Sequence, residues 1–573
     1  MPLERCSLLF VVGVAAWLIV FGHTKWTADG WWVTMPVLMV DMYLVALAVS
    51  LLPRVWRQVA LVVVYALIYV LGFAESFLYE RFFMHFNPQT LTMVLETNEG
   101  EASGFVDMCL QSKKLWPTLL WWLGLLACHI GAIVGRWWLE RKRPALLQGM
   151  AKWAARVVVP LCAIGLVWWI PQRVEIARFL AIDRTDRAEQ TDLSVFYSPQ
   201  WRVVYAMKFE QLSRQELQTL AHNMQQIGPV ESRGGVPQIV LVIGESHNKH
   251  HSAVYGYGLP TTPFQTLSER TGLMVAMSDA VTPWNVTSSV FKQMLSTHSS
   301  DQEGLWTDGV LFPALIRQAG YKTAFISNQF YKSNRQNSAN YNGSFYLNSE
   351  PFDSLCFNYR NTKYYLYDRG LLKELQGLPR DSMQFVIFHL LGQHMPYAER
   401  VPSDGKQFLQ NDIKRPDLSA QERQIVADYD NATLANDQLL ERVYDLYKDR
   451  EAVIVYLADH GDEVFDGNMR MYGRNHSAQP TSEIMWAEFE VPMEVWVTPT
   501  LQQKRPELME RLKAAKQRPF SIDDVSHLLL NLAGVQTKYY NPERDLLSPQ
   551  FKARPRPVKG TKVTYDQIMN KKQ

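Results

Sequence analysis

The chain has 573 residues, and its 58 Lys and Arg residues nearly balance 56 Asp and Glu residues, giving a formal net charge of +2. This balance lacks the excess of positive charge that binds a phosphate backbone, so we expect no nucleic-acid partner. Most of the 18 tryptophans lie in the first third of the chain, which is typical of aromatic side chains at a membrane interface.

Five apolar stretches precede residue 171 and predict five transmembrane helices. They are residues 8–21, 33–52, 59–77, 119–134 and 157–170. The second and third are long enough to cross a hydrocarbon core of about 30 Å, whereas the others reach that length only with flanking aromatic residues. A cleaved signal peptide is the alternative for the first stretch, but it lacks a small-residue cleavage site and four more spans follow.

Basic residues in the connecting loops predict how these spans are oriented. They lie between the second and third stretches and between the fourth and fifth: Arg54, Arg57, Arg136, Arg141, Lys142, Arg143, Lys152 and Arg156. Because positively charged loops stay in the cytoplasm, the loop 78–115 and everything after residue 170 face outward. We therefore expect a multi-pass protein of a Gram-negative inner membrane, with a transmembrane domain at 1–173, a juxtamembrane helical linker at 174–234 and a periplasmic domain at 235–573.

The predicted periplasmic domain contains short runs rich in β-branched residues. They are residues 238–243, 322–326, 384–389, 452–457 and 491–497. Segments of helical length, such as 309–319 and 428–447, lie between several of these runs. This alternation predicts an α/β domain with a mainly parallel sheet sandwiched by helices. Cys6, Cys128 and Cys162 fall in or near the predicted spans, which leaves Cys109 and Cys356 outside, so at most one disulfide could form there.

Polar side chains follow three of these predicted strands. Glu245 comes directly after the first strand, Asp459 and His460 follow the run at 452–457, and His394 follows the run at 384–389. Singly, each has an ordinary interpretation as a helix cap, a solvated carboxylate or a buried histidine. Together they would meet at the carboxyl edge of a parallel sheet, where ligands bind. Carboxylate oxygens and imidazole nitrogens are zinc ligands, so the pattern predicts a metal site.

Several motifs resemble the lipopolysaccharide phosphoethanolamine transferases of the sulfatase/alkaline-phosphatase superfamily. They are Gly244-Glu245-Ser246, the run Tyr255-Gly-Tyr-Gly-Leu-Pro-Thr-Thr-Pro263, the segment 389–394, and Ala458-Asp459-His460-Gly461, in this order after the predicted spans. The segment 95–102 and the scarcity of cysteine further resemble the branch that modifies the lipopolysaccharide core. The resemblance implies an alkaline-phosphatase/sulfatase-like fold and a zinc-dependent enzyme.

The family uses a threonine nucleophile about 40 residues after the Gly-Glu-Ser/Thr glutamate. Thr282, Thr287 and Ser288 compete for this role here. Thr287 fits best, because it opens a helix-like run whose N–H groups and dipole would favour a phosphate. The alternative for Thr287 is a helix N-cap without chemistry.

The resemblance assigns further roles residue by residue. It implies that Glu245, Thr287, Asp459 and His460 hold the zinc ion, and that His394 acts as general acid/base or as ligand to a second zinc. Residues expected to bind the substrate are Thr97, Glu101, Lys332 and His476. By contrast, His247, His250 and His251 match no family position, and we interpret them as a local surface cluster.

The implied reaction transfers phosphoethanolamine from phosphatidylethanolamine to a lipopolysaccharide acceptor, with the core heptose or phosphate favoured over lipid A. It would pass through a phosphoethanolamine-threonine intermediate. The alternative is a phosphoglycerol transferase of the polyglycerolphosphate synthase type, usually with manganese. A catalytically inactive scaffold is a third interpretation, opposed by the joint presence of Glu245, Thr287, Asp459 and His460. An arylsulfatase is not expected, because no Cys/Ser-x-Pro-x-Arg nucleophile motif follows Glu245.

Overall fold

The structure is a computed structural model of the chain. It describes residues 2–23, 28–82, 85–86, 91, 115–189, 191, 193–332, 346–379, 383–467, 471–474 and 481–570. Of the residues singled out above, Thr97, Glu101, Cys109 and His476 lie outside these ranges, as does most of the loop 78–115. The described chain forms two compact units, one ending at Arg214 and the other beginning at Gln215.

The first unit is built from long helices. They are α1 (Pro2–His23), α2 (Ala28–Leu51), α3 (Arg54–Phe82), α4 (Leu115–Lys142) and α5 (Pro144–Leu180), followed by α6 (Pro199–Gln225), which continues into the second unit. Within the described residues, four of them, α2 to α5, are long and apolar enough to cross a membrane. The prediction of five spans is thus corrected to four. The described apolar part of α1, Cys6–Gly22, is shorter than the roughly 20 residues that a span requires.

A polar contact joins two of these membrane helices. The carboxylate of Asp41 on α2 accepts hydrogen bonds from Trp169 Nε1 and Arg173 Nη2 on α5, each at 2.7 Å. The Arg173 guanidinium also lies 4.6 Å from the ring centroid of Trp201 on α6. Ionisable groups among apolar helices are costly unless they pair, so this contact specifies how α2 and α5 pack.

The second unit contains a seven-stranded sheet. Its strands are β1 (Gln238–Gly244), β2 (Met274–Ala276), β3 (Lys322–Ser327), β4 (Tyr359–Arg360), β5 (Gln384–His389), β6 (Ala452–Ala458) and β7 (Met493–Val497). Their order is β2-β7-β6-β1-β5-β3-β4. Five neighbouring strands, from β6 to β4, are parallel, while β7 pairs antiparallel with both β6 and β2.

The sheet is therefore mixed, which corrects the mainly parallel prediction at one edge. The five predicted runs all lie on strands, but a run of β-branched residues does not encode strand direction. Central strands are apolar on both faces: Ile239, Leu241 and Ile243 of β1 join one hydrophobic cluster, and Val240 and Val242 join the other. This two-sided burial explains why the runs are continuously apolar rather than alternating.

Helices cover both faces of the sheet. The helices of this unit include α7 (Pro263–Arg270), α8 (Thr287–Leu295), α9 (Phe312–Gln318), α10 (Ala420–Tyr447), α11 (Pro499–Lys504), α12 (Pro506–Ala515) and α13 (Val525–Leu532). Further short helices span Phe352–Cys356, Leu372–Gln376, Ser482–Ile484 and Tyr565–Asn570, and Thr185–Glu189 is a short helix of the first unit. Three small two-stranded pairs join Glu231–Ser232 to Val535–Gln536, Glu463–Val464 to Tyr472–Gly473, and Ala280–Val281 to Phe520–Ser521.

Candidate active site

Two neighbouring parallel strands bring three predicted site residues together. Glu245 follows β1, and Asp459 and His460 follow β6, whose last residue pairs in register with Gly244. All three side chains are fully buried. Their ligand atoms lie within 4.8 Å of one another. The sheet register thus creates a compact group of two carboxylates and one imidazole.

The turn after β1 has an unusual backbone conformation. Ser246 has a φ of +57°, in the left-handed region that non-glycine residues rarely adopt. In this conformation its N–H donates to Asp459 Oδ1 at 3.1 Å, and its hydroxyl donates to Glu245 Oε1 at 2.7 Å. Strain of this kind persists where the surroundings hold it, and it is common at functional sites. Here the strained residue orients both carboxylates.

Gly392 lies directly against the backbone of Glu245. It has a φ of +49°, and a Cβ atom at this position would approach Glu245 O to 2.8 Å and Glu245 N to 2.9 Å. The next residue, Gln393, donates its N–H to Glu245 O at 3.0 Å. The loop after β5 therefore buttresses Glu245, and only glycine permits this close approach.

Thr287, the predicted nucleophile, lies beside this group. It is the first residue of α8, and its Oγ1 lies 3.1 Å from both Glu245 Oε2 and His460 Nε2. Val286 is the N-cap residue of α8, so the interpretation of Thr287 as a simple N-cap is wrong. Of the two competing hydroxyls, Thr282 donates to Trp284 O at 3.1 Å and Ser288 is exposed.

The electrostatics of the group favour a bound cation. Burial raises the pKa of Glu245, but the charge of His460 and its hydrogen bond more than offset this and hold the pKa well below its usual value. Burial and the nearby charge of Glu245 raise the pKa of Asp459. Asp459 Oδ2 is buried without a hydrogen bond among the described residues, and its ion-pair partner is His460 Nε2 at 3.2 Å, which also lies 3.3 Å from Glu245 Oε1. Two buried carboxylates that share one imidazole are poorly compensated without further positive charge.

These residues fit a zinc ion. Glu245, Asp459 and His460 supply two oxygen ligands and one nitrogen ligand, and Thr287 places a hydroxyl oxygen 3.1 Å from both Glu245 and His460. Zinc in catalytic sites takes three protein ligands of these types and leaves a position for the reacting group. Asp459 Oδ2, which makes no hydrogen bond among the described residues, would then serve as a ligand.

Two residues that the sequence did not single out support Glu245 from the side of β3 and β5. Gln329 donates to Glu245 Oε2 at 2.9 Å and lies 3.3 Å from His389 Nε2. His389 is fully buried, its Nδ1 is 2.9 Å from Ser327 Oγ, and burial lowers its pKa to about 3. The imidazole is therefore neutral and orients Gln329. Gln329 could have been identified from the sequence by its position just after β3, because the predicted site residues also follow strands.

Arg474 is a further site residue that sequence patterns did not indicate. Its side chain is 11% exposed, and its Nη1 contacts His460 Nε2 and donates to Asn285 O at 3.1 Å. Its Nη2 lies 3.9 Å from Glu245 Oε1, and its Nε lies 3.1 Å from Asp462 Oδ1. No sequence motif indicates a role for this arginine. Its side chain reaches the strand ends only through the packing of the folded domain.

Two further predicted site residues, His394 and Lys332, do not belong to the metal-ligand group. His394 is partly buried, its Nδ1 lies 2.7 Å from Met395 O, and its charge acts on Glu245. Lys332 pairs through Nζ with Asp353, which also binds Arg360 at 3.0 Å. Among the described contacts of Lys332, none reaches the metal-ligand group, so its role in substrate binding stays a prediction.

The interpretation of the three early histidines as a surface cluster is wrong. His247 and His251 are almost completely buried, and His250 stacks on Trp486 with ring centroids 3.8 Å apart. His247 lies 2.7 Å from the Tyr456 hydroxyl. These histidines are buried because other segments of the domain pack over them. The polar residues next to them in the chain gave no indication of this.

His251 is the centre of a separate buried ion-pair cluster. Its Nδ1 lies 2.7 Å from Asp430 Oδ1, and its Nε2 lies 3.1 Å from Asp466 Oδ2. Burial lowers the pKa of His251, but the two carboxylates outweigh this and raise it to about 10. Each ring nitrogen serves one carboxylate, so the imidazolium is a structural bridge.

Sequence comparison identifies relatives for this arrangement. The family model described as sulfatase matches residues 237–535, just over half of the chain. Phosphoethanolamine transferase EptC of Escherichia coli strain K12 is 29% identical over 359 residues, which cover 59% of this chain and 59% of EptC. The match thus spans less than two thirds of that relative. Phosphoethanolamine transferase CptA of Salmonella typhimurium is 26% identical over 506 residues, 84% of this chain and 82% of CptA.

Solved structures show the same architecture. The C-terminal periplasmic domain of EptC from Escherichia coli, determined as a complex with Zn, matches with a TM-score of 0.50 and 26% identity over 60% of this chain and 96% of that domain. The integral membrane protein lipooligosaccharide phosphoethanolamine transferase A (EptA) from Neisseria meningitidis matches with a TM-score of 0.59 and 18% identity. That match covers 94% of this chain and 98% of EptA and shows a shared fold.

Proposed function

This chain belongs to the sulfatase family, and on that premise we propose that it is a membrane-anchored phosphoethanolamine transferase. It takes phosphoethanolamine from phosphatidylethanolamine and passes it to a lipopolysaccharide acceptor, with core heptose or phosphate groups favoured over lipid A. The names of the relatives EptC and CptA support phosphoethanolamine over phosphoglycerol as the group transferred.

One observation carries the proposal. Thr287 Oγ1 lies 3.1 Å from a carboxylate and 3.1 Å from an imidazole, both of which are potential metal ligands. A hydroxyl at a helix N-terminus faces N–H groups that have no carbonyl partner within the helix, and those groups attract a phosphate. Thr287 is thus placed as a nucleophile toward phosphorus rather than as a structural hydroxyl.

A zinc ion fits this function. Glu245, Thr287, Asp459 and His460 would hold it, and when bound it lowers the pKa of the threonine hydroxyl and neutralises phosphoryl charge. The Zn complex of the EptC periplasmic domain supports the choice of metal.

The residues of the chain support a two-step transfer. Before the first step Thr287 Oγ releases its proton to solvent. In the first step the Thr287 alkoxide attacks the phosphorus, the bond from phosphorus to the diacylglycerol oxygen breaks, and that oxygen leaves with a proton from His394. In the second step an acceptor hydroxyl or phosphate oxygen attacks the phosphoethanolamine-threonine, and Thr287 becomes the leaving group. His394 then accepts the proton of an attacking hydroxyl, because the acid of one step is the base of the next.

Substrate contacts extend beyond the metal-ligand group. We assign Thr97, Glu101, Lys332 and His476 to the binding of the phosphoethanolamine group, as the family resemblance implies. Binding through Lys332 requires its ammonium to exchange Asp353 for a substrate oxygen, and its side chain is 48% exposed, so the exchange is sterically possible.

Membrane anchoring suits substrates that are themselves lipids. The loops with Arg54 and Arg57 and the basic residues between α4 and α5 indicate the cytoplasmic side. Helix α5 then leads outward, which places the second unit in the periplasm of a Gram-negative cell. The EptC domain, described as periplasmic, supports this orientation.

Mass spectrometry of lipopolysaccharide tests the function directly. Cells that express the chain should carry one additional phosphoethanolamine unit relative to cells that lack it, and fragmentation should map the unit to the core. A phosphoglycerol unit, or an unchanged lipopolysaccharide under confirmed expression, contradicts the proposal.

A further inference from the structure

Arg474 introduces a buried positive charge into the metal-ligand group. Its guanidinium contacts His460 and lies 3.9 Å from Glu245, yet it follows no sequence motif and has no role in the two-step transfer described above. A desolvated arginine is costly unless it is paired, so its position requires an explanation.

Asp462 holds one side of this guanidinium. Arg474 Nε lies 3.1 Å from Asp462 Oδ1, and the Tyr397 hydroxyl donates to Asp462 Oδ2 at 2.7 Å. Asp462 is fully buried and does not belong to the metal-ligand group. The aspartate therefore anchors the arginine, and the tyrosine orients the aspartate.

The other side of the guanidinium faces the reacting atoms. Arg474 Nη1 contacts His460 Nε2, which lies 3.1 Å from Thr287 Oγ1, and the Nδ1 of His460 lies 3.0 Å from Gly461 O. A metal-binding imidazole is neutral, so with Nδ1 donating to that carbonyl the single lone pair of Nε2 can bind the metal ion or accept from Arg474 but not both. When Nε2 acts as a metal ligand, Arg474 Nη1 needs another acceptor close to Thr287.

We propose that Arg474 binds the phosphoryl oxygens of the donor lipid and supplies the second cation of the active site, so that the site works with one metal ion. This inference rests on the proposed function. The phosphodiester of the donor is an anion beside Thr287, and a guanidinium is well suited to phosphate oxygens because of its planar fork of N–H donors.

Charge supports a single metal ion. In two-metal phosphoryl-transfer sites the ions lie about 3.5–4 Å apart, so a second divalent ion would be placed at a similar distance from the first. The Arg474 guanidinium contacts His460 and lies 3.9 Å from Glu245, so its charge repels a second ion on that side of the metal-ligand group. A metal ion needs protein ligands to hold it, whereas a buried arginine supplies positive charge without them. The arginine is also in position before the reaction begins.

The experiment uses the full chain in detergent micelles, with phosphatidylethanolamine as the donor. Two quantities are measured: zinc per chain by elemental analysis, and the rate at which the phosphoethanolamine adduct forms on Thr287, by mass spectrometry. The variants are Arg474→Gln, Arg474→Lys and Asp462→Asn. Arg505→Gln is the control, because that half-buried guanidinium donates to Gly234 O and Gly235 O and has no described contact with the metal-ligand group.

We expect one zinc per chain in the parent protein, in the control and in Arg474→Gln. Arg474→Gln should slow adduct formation by about 10²–10³-fold, the usual effect of removing one donor to a developing phosphoryl or oxyanion charge. The rate of adduct formation in Arg474→Lys should lie between the rates of Arg474→Gln and the parent protein. The rate in Asp462→Asn should be close to that in Arg474→Gln. If Arg474→Gln fails to fold, the adduct rate of Arg474→Lys and the number of zinc ions per chain in the parent protein still test the inference.

Other results overturn the inference. Two zinc ions per chain in the active parent protein contradict the single-metal site. An unchanged adduct rate in Arg474→Gln contradicts phosphate binding, and a loss of zinc in that variant makes Arg474 a residue that organises the ligands instead. A parent protein that binds zinc but forms no adduct refutes the proposed function itself, and the zinc stoichiometry then still decides the number of metal ions.

Discussion

Thr287 Oγ1 lies 3.1 Å from Glu245 Oε2, and this contact links the first turn of α8 to the residue that follows β1. The hydroxyl is held by two potential metal ligands at once, because His460 Nε2 is equally close. A threonine in this position serves either as a nucleophile or as a spacer between ligands. Substitutions can separate these roles.

Replacing Thr287 with alanine should abolish transfer while the protein remains folded and inserted in the membrane. Removal of a nucleophile typically lowers kcat by about 10⁴-fold or more. Ser288→Ala is the matched control, since that exposed neighbour was a competing candidate. Phosphoethanolamine transfer from a labelled donor is the measurement. Normal transfer by the alanine variant would exclude the nucleophile assignment.

Removal of the metal should inactivate and destabilise the enzyme. Glu245 and Asp459 are buried close together, and without a cation their repulsion and desolvation are offset in part by His460 and Arg474. Chelator treatment should therefore eliminate transfer and lower the temperature of unfolding, and added Zn²⁺ should restore both. Restoration by Mn²⁺ but not by Zn²⁺ would point instead to the phosphoglycerol transferase.

Gly392→Ala should disturb the site without altering any ligand. The new Cβ would lie 2.8 Å from Glu245 O, and the left-handed φ of +49° disfavours alanine as well. We expect weaker zinc binding and reduced transfer, measured by competition with a chromogenic chelator and by the transfer assay. Gly258→Ala is the control, because a Cβ there meets no atom within 4 Å. Equal zinc affinity in the two variants would contradict the buttressing role of Gly392.

His251 should make stability depend on pH. Its folded pKa of about 10 lies above the ordinary value of 6.5, so its contribution to stability is complete below about pH 6.5 and is lost as pH rises toward 10. His251→Asn leaves Asp430 and Asp466 without their cation and should cost about 3–5 kcal/mol near pH 6. The difference in unfolding between the parent and this variant should shrink as pH rises.

Thermal unfolding of the full chain in detergent between pH 6 and pH 10 measures this difference. His222→Asn is the control, because that histidine is exposed on α6 and contacts Gln226. A difference between parent and His251→Asn that stays constant over this range would show that the imidazolium bridge does not form.

The sequence by itself determined the apolar helices, the five apolar strands and the chemistry of the metal-ligand group. Hydrophobic length and strand composition are local properties, and parallel strands place their following residues at one edge. That rule brought Glu245, Asp459 and His460 together in the prediction. A family spacing added Thr287, which lies at the contact described above.

Only the tertiary structure decided the direction of β7, the support of Glu245 by Gln329 and Gly392, the position of Arg474, and the burial of His247 and His251. Strand direction depends on how a chain returns to the sheet, which residue composition does not encode. The supporting residues act through close contacts between segments far apart in the chain. Burial of a histidine or an arginine likewise depends on what packs over it, and this is known only when the whole domain is assembled.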